Sequence, residues 1–162
     1  MGAQSEVLED TIAQNHTNEE QLRGETILFV EDEVFVREVT CEVLRSAGYR
    51  VLTAKDAIEG AQAYEQNCGE VALLLTDVIL PGETGRMLAA RLRRDNPGLK
   101  VLLVTGYAEQ MELREEGCAE TLVKPFSAGA LLRRVREAID CGGFQATSEE
   151  RENGFKRAGG RV

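Results

Sequence analysis

The sequence has 162 residues, of which 43% are hydrophobic and 29% charged, and its formal net charge is −9. This length and mixture predict one globular domain with a hydrophobic core and argue against a disordered or membrane-spanning chain. No apolar run approaches the roughly 18 residues of a membrane span, and no secretory signal pattern opens the chain. We therefore expect a cytoplasmic protein.

The acidic charge is spread along the chain. Residues 1–24 carry five acids and one base, residues 25–140 twenty acids and fourteen bases, and residues 141–162 three acids and four bases. No basic face of the kind that binds nucleic acid is evident, so no nucleic-acid partner is expected.

The four cysteines are far apart, and no CxxC pair is present: Cys41, Cys68, Cys118 and Cys141. This spacing argues against a zinc site or a disulfide framework, so we expect reduced packing or surface residues. The single His16 lies in a polar stretch and is interpreted as a surface residue.

Three zones follow one another. Residues 1–24 form a polar leader with only Val7, Leu8 and Ile12 at helical spacing, and residues 142–162 form a Gly-rich tail that is expected to be disordered. The domain itself is predicted to span residues 25–141.

The first half of this domain begins with "TILFV" (26–30), which predicts a buried strand. The next segment has four small apolar residues at helical spacing, followed by Gly48 as a C-terminal cap: Val36, Val39, Val43 and Ala47. The stretch "RVLTA" (50–54) predicts a second strand. A helix then opens at Asp56, with Glu59 three residues later as in a capping box.

The second half repeats this alternation. An apolar run ends at Asp77, and a helix follows that carries Met87, Leu88, Arg91 and Leu92. The remaining elements are a strand "KVLLVT" (100–105), a weak helical segment near 109–116, a short strand "TLV" (121–123) and a last helix from Ser127. That helix places four apolar residues on one face: Leu131, Val135, Ala138 and Ile139.

Five βα units predict an α/β fold with a doubly wound parallel sheet that is covered on both faces. Ligands of such sheets bind outside the carboxyl ends of the strands. Five polar residues fall at or just past strand ends and are therefore expected at one edge: Glu31, Asp32, Asp77, Thr105 and Lys124.

This set of side chains suggests phosphate chemistry. Three carboxylates in one crevice repel one another by roughly 4 kcal/mol per close pair at an effective dielectric near 20. A single lysine cannot offset this total repulsion. Mg²⁺ prefers such oxygen ligands, and with Lys124 it would gather phosphate oxygens so that Asp77 can attack phosphorus. Turn capping by Asp77 and a helix-dipole role for Glu31 and Asp32 are the structural alternatives.

Four ordered motifs resemble the receiver domain of bacterial two-component response regulators: "VEDE" (30–33), "LLLTDVILPGETG" (73–85), "VLLVTGYA" (101–108) and "LVKPF" (122–126). The resemblance covers about residues 25–140 and implies a flavodoxin-like five-stranded sheet of order 2-1-3-4-5. It also implies a signalling protein, rather than an enzyme, that takes a phosphoryl group from a histidine kinase or a histidine phosphotransfer protein.

The same resemblance assigns roles to single positions. Asp77 is similar to the phosphoacceptor, Thr105 to the switch hydroxyl and Lys124 to the phosphate-binding lysine. The metal ligands implied for Mg²⁺ are Glu31, Asp32, Asp77 and the backbone carbonyl of Ile79. Lys124-Pro125 resembles the family's cis peptide.

One position departs from the family pattern. Thr121 stands three residues before the lysine, where receivers commonly carry an aromatic residue that moves with the threonine. Ile79 and Tyr107, two residues past Asp77 and Thr105, are poorly suited to orient a hydrolytic water, which predicts a long-lived phosphorylated form.

Alternative functions are a magnesium-dependent aspartate-nucleophile phosphohydrolase and a pseudo-receiver that acts without phosphorylation. Hydrolases of the haloacid-dehalogenase type resemble DxDx[TV], whereas Ile79 stands where their second aspartate would be. We expect the protein to pass its signal to an unidentified downstream protein. It could be a stand-alone receiver or part of a hybrid kinase, and it could form a homodimer.

Overall fold

The computed structural model describes residues 24–115 and 120–141. The leader before Gly24, the tail after Cys141, His16 and Cys118 lie outside the described residues, so the expectations for them stay predictions.

Five strands and five helices alternate within the described residues. The strands are β1 Thr26–Val30, β2 Arg50–Ala54, β3 Val71–Asp77, β4 Lys100–Thr105 and β5 Thr121–Val123. The helices are α1 Val34–Ser46, α2 Ala57–Gln66, α3 Gly85–Asp95, α4 Tyr107–Glu115 and α5 Ala128–Asp140. All the strand pairs are parallel and the order is β2-β1-β3-β4-β5, which confirms the predicted fold.

Helix boundaries follow local signals in the sequence. Gly48 has φ 96° and donates to the carbonyl of Arg45, while the N–H of Tyr49 donates to that of Leu44, so α1 ends in a Schellman motif. Three helices begin at side-chain caps, in which Asp56, Thr84 and Ser127 accept from Glu59, Met87 and Ala130.

The sheet separates two hydrophobic clusters. Leu28 and Leu74 face α2, α3 and α4, whereas Phe29, Leu73 and Leu75 face α1 and α5. Because both faces are covered, β1 and β3 are almost continuously apolar rather than alternating. Burial of each such leucine contributes about 1.5–3 kcal/mol.

The apolar stripe identified in α1 is not the most buried face of this helix. Its buried residues are Thr40, Cys41 and Leu44, whereas Val39 is 46% exposed and Val43 is only partly buried. Leu44 and the two residues Thr40 and Cys41 face the core. Val39 and Val43 instead line a surface groove together with Leu132 of α5. The four apolar residues predicted for α5 are all buried, as expected.

Helix α4 is held loosely. Among its described side chains, which extend to Leu113, only that leucine is buried. Tyr107 and Met111 are exposed. Among the described side chains of this helix, Leu113 is therefore the one apolar anchor on the core.

The free cysteines fit the prediction where they are described, with Cys41 buried and Cys68 and Cys141 exposed. None of the helices in the described ranges is long and apolar enough to cross a membrane.

Candidate functional site

Asp77 is the last residue of the central strand β3 and is 9% exposed. Its Oδ1 accepts from the backbone N–H of Ile79 at 2.9 Å, and its Oδ2 accepts from Lys124 Nζ at 2.6 Å. The chain then turns at Pro81-Gly82, where Gly82 has φ 79°. One carboxylate oxygen is thus fixed by the backbone and the other by a cation.

Glu31 follows β1 and is buried beside Asp77. Its Oε1 accepts from the N–H of Glu33 at 3.1 Å, and its Oε2 accepts from Lys124 Nζ at 3.0 Å. Burial raises the pKa of Glu31, although the hydrogen bonds from Glu33 and Lys124 act in the opposite direction. A charged Glu31 therefore depends on its cationic neighbour.

Lys124 is the cation that links these two carboxylates. It follows β5, its N–H donates to the carbonyl of Thr105 at 2.8 Å, and its peptide bond to Pro125 is cis, as the resemblance implied. Burial alone would lower the pKa of Lys124, but hydrogen bonds to Asp77 and Glu31 raise it overall. The ammonium group thus stays charged at neutral pH.

Thr105 ends β4 with a buried side chain that is 1% exposed. Its Oγ1 has no hydrogen-bond partner in the described part of the chain. An unsatisfied buried hydroxyl costs about 1–3 kcal/mol, so such groups often mark functional positions. This hydroxyl is free to donate to an incoming ligand.

Asp32 is exposed next to Glu31, and Arg37 secures the loop that carries both. Arg37 Nη1 donates to the carbonyl of Glu31 at 2.6 Å and lies 3.4 Å from that of Asp32. Sequence reasoning missed this arginine. The sequence feature that could have indicated it is a basic residue in the first turn of the helix that follows the acidic pair.

Gly85 was also missed. It begins α3 with its N–H donating to the carbonyl of Val78 at 3.0 Å. A Cβ here would lie 2.0 Å from the carbonyl oxygen of Asp77 and 2.8 Å from Thr76 Oγ1. Only glycine lets α3 approach the site backbone this closely. A glycine in the first turn of a helix could have indicated this.

The donor set suits a hard cation, but the present arrangement uses the lysine instead. Within residues 24–115 and 120–141, no three Asp, Glu, His or Cys side chains converge as a metal-binding group. Lys124 Nζ bridges Glu31 and Asp77, while Asp32 points outward from the same loop. Carboxylate and carbonyl oxygens nevertheless match the preference of Mg²⁺.

Exposed apolar side chains follow the site residues in the sequence. Val34 and Phe35 come soon after the acidic pair and are 56% and 72% exposed, and Ile79 and Tyr107 come two residues after Asp77 and Thr105. The acidic site is thus bordered by apolar surface that a docking protein could cover.

Thr121, the departure from the family pattern, begins β5 and is half-buried. Its carbonyl accepts from Arg134 of α5 at 3.0 Å, and the same guanidinium pairs with Glu120 at 3.2 Å and Glu137 at 2.8 Å. This end of β5 is therefore tied to α5 through backbone and charge.

Comparison with known proteins agrees with this geometry. The family described as "Response regulator receiver domain" matches residues 27–136. The sensor kinase CckA of Brucella abortus is 36% identical over 118 residues, which cover 71% of this chain and 12% of that protein. The response regulator receiver protein CpdR of the same organism is 32% identical and covered over 95% of its length.

Solved structures agree as well. The response regulator TrrA from Thermotoga maritima, crystallised in complex with Mg²⁺-BeF, superposes with a TM-score of 0.62 at 29% identity, covering 70% of this chain and 98% of that one. Several relatives are named transcriptional regulatory proteins, and this chain spans about half of their length.

The match to a receiver family favours neither the hydrolase alternative nor the pseudo-receiver alternative. The fold, the carboxylate and lysine edge and the match over residues 27–136 agree, and the chain belongs to the response regulator receiver domain family.

Proposed function

We propose that Asp77 is the phosphoacceptor of this receiver domain and takes a phosphoryl group from a histidine kinase or a histidine phosphotransfer protein. The observation that carries the proposal is the ion pair of Lys124 with Asp77 and Glu31, together with a buried Thr105 hydroxyl that has no hydrogen-bond partner among the described residues. A nucleophile, a cation and a hydrogen-bond donor thus belong to one edge of the sheet.

In the reaction, a carboxylate oxygen of Asp77 forms a bond to phosphorus while the phosphorus–nitrogen bond of the donor phosphohistidine breaks. The imidazole leaves with the electron pair and takes up a proton from solvent. Lys124 then moves from the free carboxylate to a phosphoryl oxygen, and the Thr105 hydroxyl donates to another.

Mg²⁺ supplies charge neutralisation for phosphoryl oxygens when bound. Its ligands in this chain would be Glu31, Asp32, Asp77 and the carbonyl of Ile79. The oxygen donor set supports this assignment, as does the relative TrrA, which was crystallised with Mg²⁺-BeF. Arg37 would orient the acidic pair by holding its two carbonyls.

The donor protein would approach over the exposed Val34 and Phe35, because these side chains border the loop that carries Asp32. We further propose that the protein is cytoplasmic. It would act by binding a downstream partner rather than by its own catalysis. No basic face for nucleic acid is proposed for this part of the chain, although relatives include transcriptional regulatory proteins.

The test is intact-protein mass spectrometry after incubation with acetyl phosphate and Mg²⁺. One phosphoryl group is expected on the native protein and on Asp95→Asn, an exposed aspartate at the end of α3, and none on Asp77→Asn. Excess EDTA should abolish labelling. Undiminished labelling of Asp77→Asn would overturn the phosphoacceptor assignment, and undiminished labelling in EDTA would overturn the metal assignment.

A further inference from the structure

A groove of about 940 Å³ lies between α3 and α4. Its floor is apolar and includes Val101 and Leu103 of β4, each 7% exposed, whereas Leu102 on the opposite face of the strand is 0% exposed. Ile79 and Met87, at 62% and 59% exposed, also line it. The groove thus reaches down to buried core residues and has exposed apolar side chains at its border.

The two sides of the groove carry opposite charges. Arg86 and Arg93 line it from α3, and Glu109 and Glu112 line it from α4. Arg93 and Glu112 are exposed. Arg93 Nε donates to the carbonyl of Leu99 at 2.9 Å, and no ion pair joins Arg93 or Glu112 to another described residue. A partner that fills this groove therefore needs an apolar surface with acidic residues on one side and basic residues on the other.

A second copy of this chain provides that complement. A two-fold axis that runs along the groove places α3 of each copy over α4 of the other, so that each basic wall meets an acidic wall. An axis across the groove would instead stack α3 on α3 and bring like charges together.

The heights of the two residues along their helices are compatible with this arrangement. Both helices begin at the carboxyl edge of the sheet, and at 1.5 Å per residue Arg93 lies about 12 Å and Glu112 about 7.5 Å from the start of its helix. A rotation about the groove axis preserves height, and arginine and glutamate side chains are long enough to bridge the difference.

The α5 surface offers less for such a contact. Arg134 already pairs with Glu120 and Glu137, and Arg136 pairs with Glu25 and Asp140. We propose that the groove between α3 and α4 is the interface of a two-fold homodimer, with Arg93 of each copy paired to Glu112 of the other. This inference does not depend on phosphorylation of Asp77.

The experiment is sedimentation velocity of the unphosphorylated protein over a wide concentration range. Arg93→Glu and Glu112→Arg should each weaken dimerisation at least about tenfold, because each reversal juxtaposes like charges twice. The matched control is Arg133→Glu, an exposed charge reversal on α5, which should dimerise like the native protein. Thermal unfolding verifies that the variants are folded.

The decisive sample is an equimolar mixture of Arg93→Glu and Glu112→Arg. In a two-fold dimer, one copy of each variant restores both opposite-charge contacts, so the mixture should dimerise although each variant alone does not. A native protein that stays monomeric, an Arg93→Glu variant that dimerises normally or a mixture that stays monomeric would each overturn the proposal. A different protein bound in the groove of a monomer would do so too.

Discussion

Replacement of Lys124 by methionine should destabilise the protein through its two carboxylates. The ammonium lies 2.6 Å from Asp77 Oδ2 and 3.0 Å from Glu31 Oε2. Each contact represents an attraction of about 6 kcal/mol at an effective dielectric near 20, most of which offsets desolvation. Methionine keeps the apolar stem but leaves two buried anions unpaired. We expect a loss of about 3 kcal/mol in unfolding free energy at neutral pH without metal.

This loss should depend on pH and on Mg²⁺. Burial already raises the pKa of Glu31, and removal of Lys124 raises it further because the lysine lowers it. A carboxyl whose pKa is higher in the folded state favours folding at low pH, and this contribution disappears as the pH rises through the folded pKa. The difference between variant and native protein should therefore shrink on acidification.

Urea unfolding in EDTA and in Mg²⁺ measures both effects. Mg²⁺ should stabilise Lys124→Met more than the native protein, because it no longer competes with an ammonium group. The control is Lys55→Met, which removes an exposed pair with Glu59 and should leave the unfolding free energy nearly unchanged. If Lys124→Met is as stable as the native protein in EDTA, or gains no more from Mg²⁺, the charge argument is wrong.

Three further changes test other parts of the site. Gly85→Ala should lower the unfolding free energy by about 1–3 kcal/mol and slow phosphorylation, since its Cβ meets the Asp77 carbonyl; native stability in urea would contradict this. Arg37→Gln should weaken Mg²⁺ binding roughly tenfold by calorimetry, whereas Arg45→Gln on the same helix should not; equal affinities would exclude a positioning role. Ile79→Asn should speed the decay of phosphorylated Asp77 at least about tenfold after donor removal; decay within seconds in the native protein would refute the long-lived state.

The sheet was predictable because its strands are buried on both faces. "TILFV" and "KVLLVT" each contain four consecutive apolar residues, and β-branched and leucine side chains fill much of both clusters. The rule that parallel strands present ligands at their carboxyl ends then placed Glu31, Asp77 and Lys124 together, and the structure joins these three directly.

Other features depend on tertiary contacts that a sequence does not display. Helical spacing identified a valine stripe in α1, but the structure buries Leu44 and Cys41 in the core, and spacing alone did not identify them. The requirement for Gly85 arises only where α3 meets the backbone of Asp77, and the bond from Arg37 arises only once the loop after β1 is folded.

The charge of the site explains how a lysine and a divalent cation can both belong to it. Glu31, Asp32, Asp77 and Lys124 together carry a formal charge of −2. From sequence, three carboxylates required a cation, and the structure shows that Lys124 already bridges two of them while Asp32 remains exposed. A divalent ion would bring the set to neutrality, and the dianionic phosphoryl group would then draw the ammonium from Asp77. In the proposed reaction, the phosphoryl group would therefore replace the ion pair seen here.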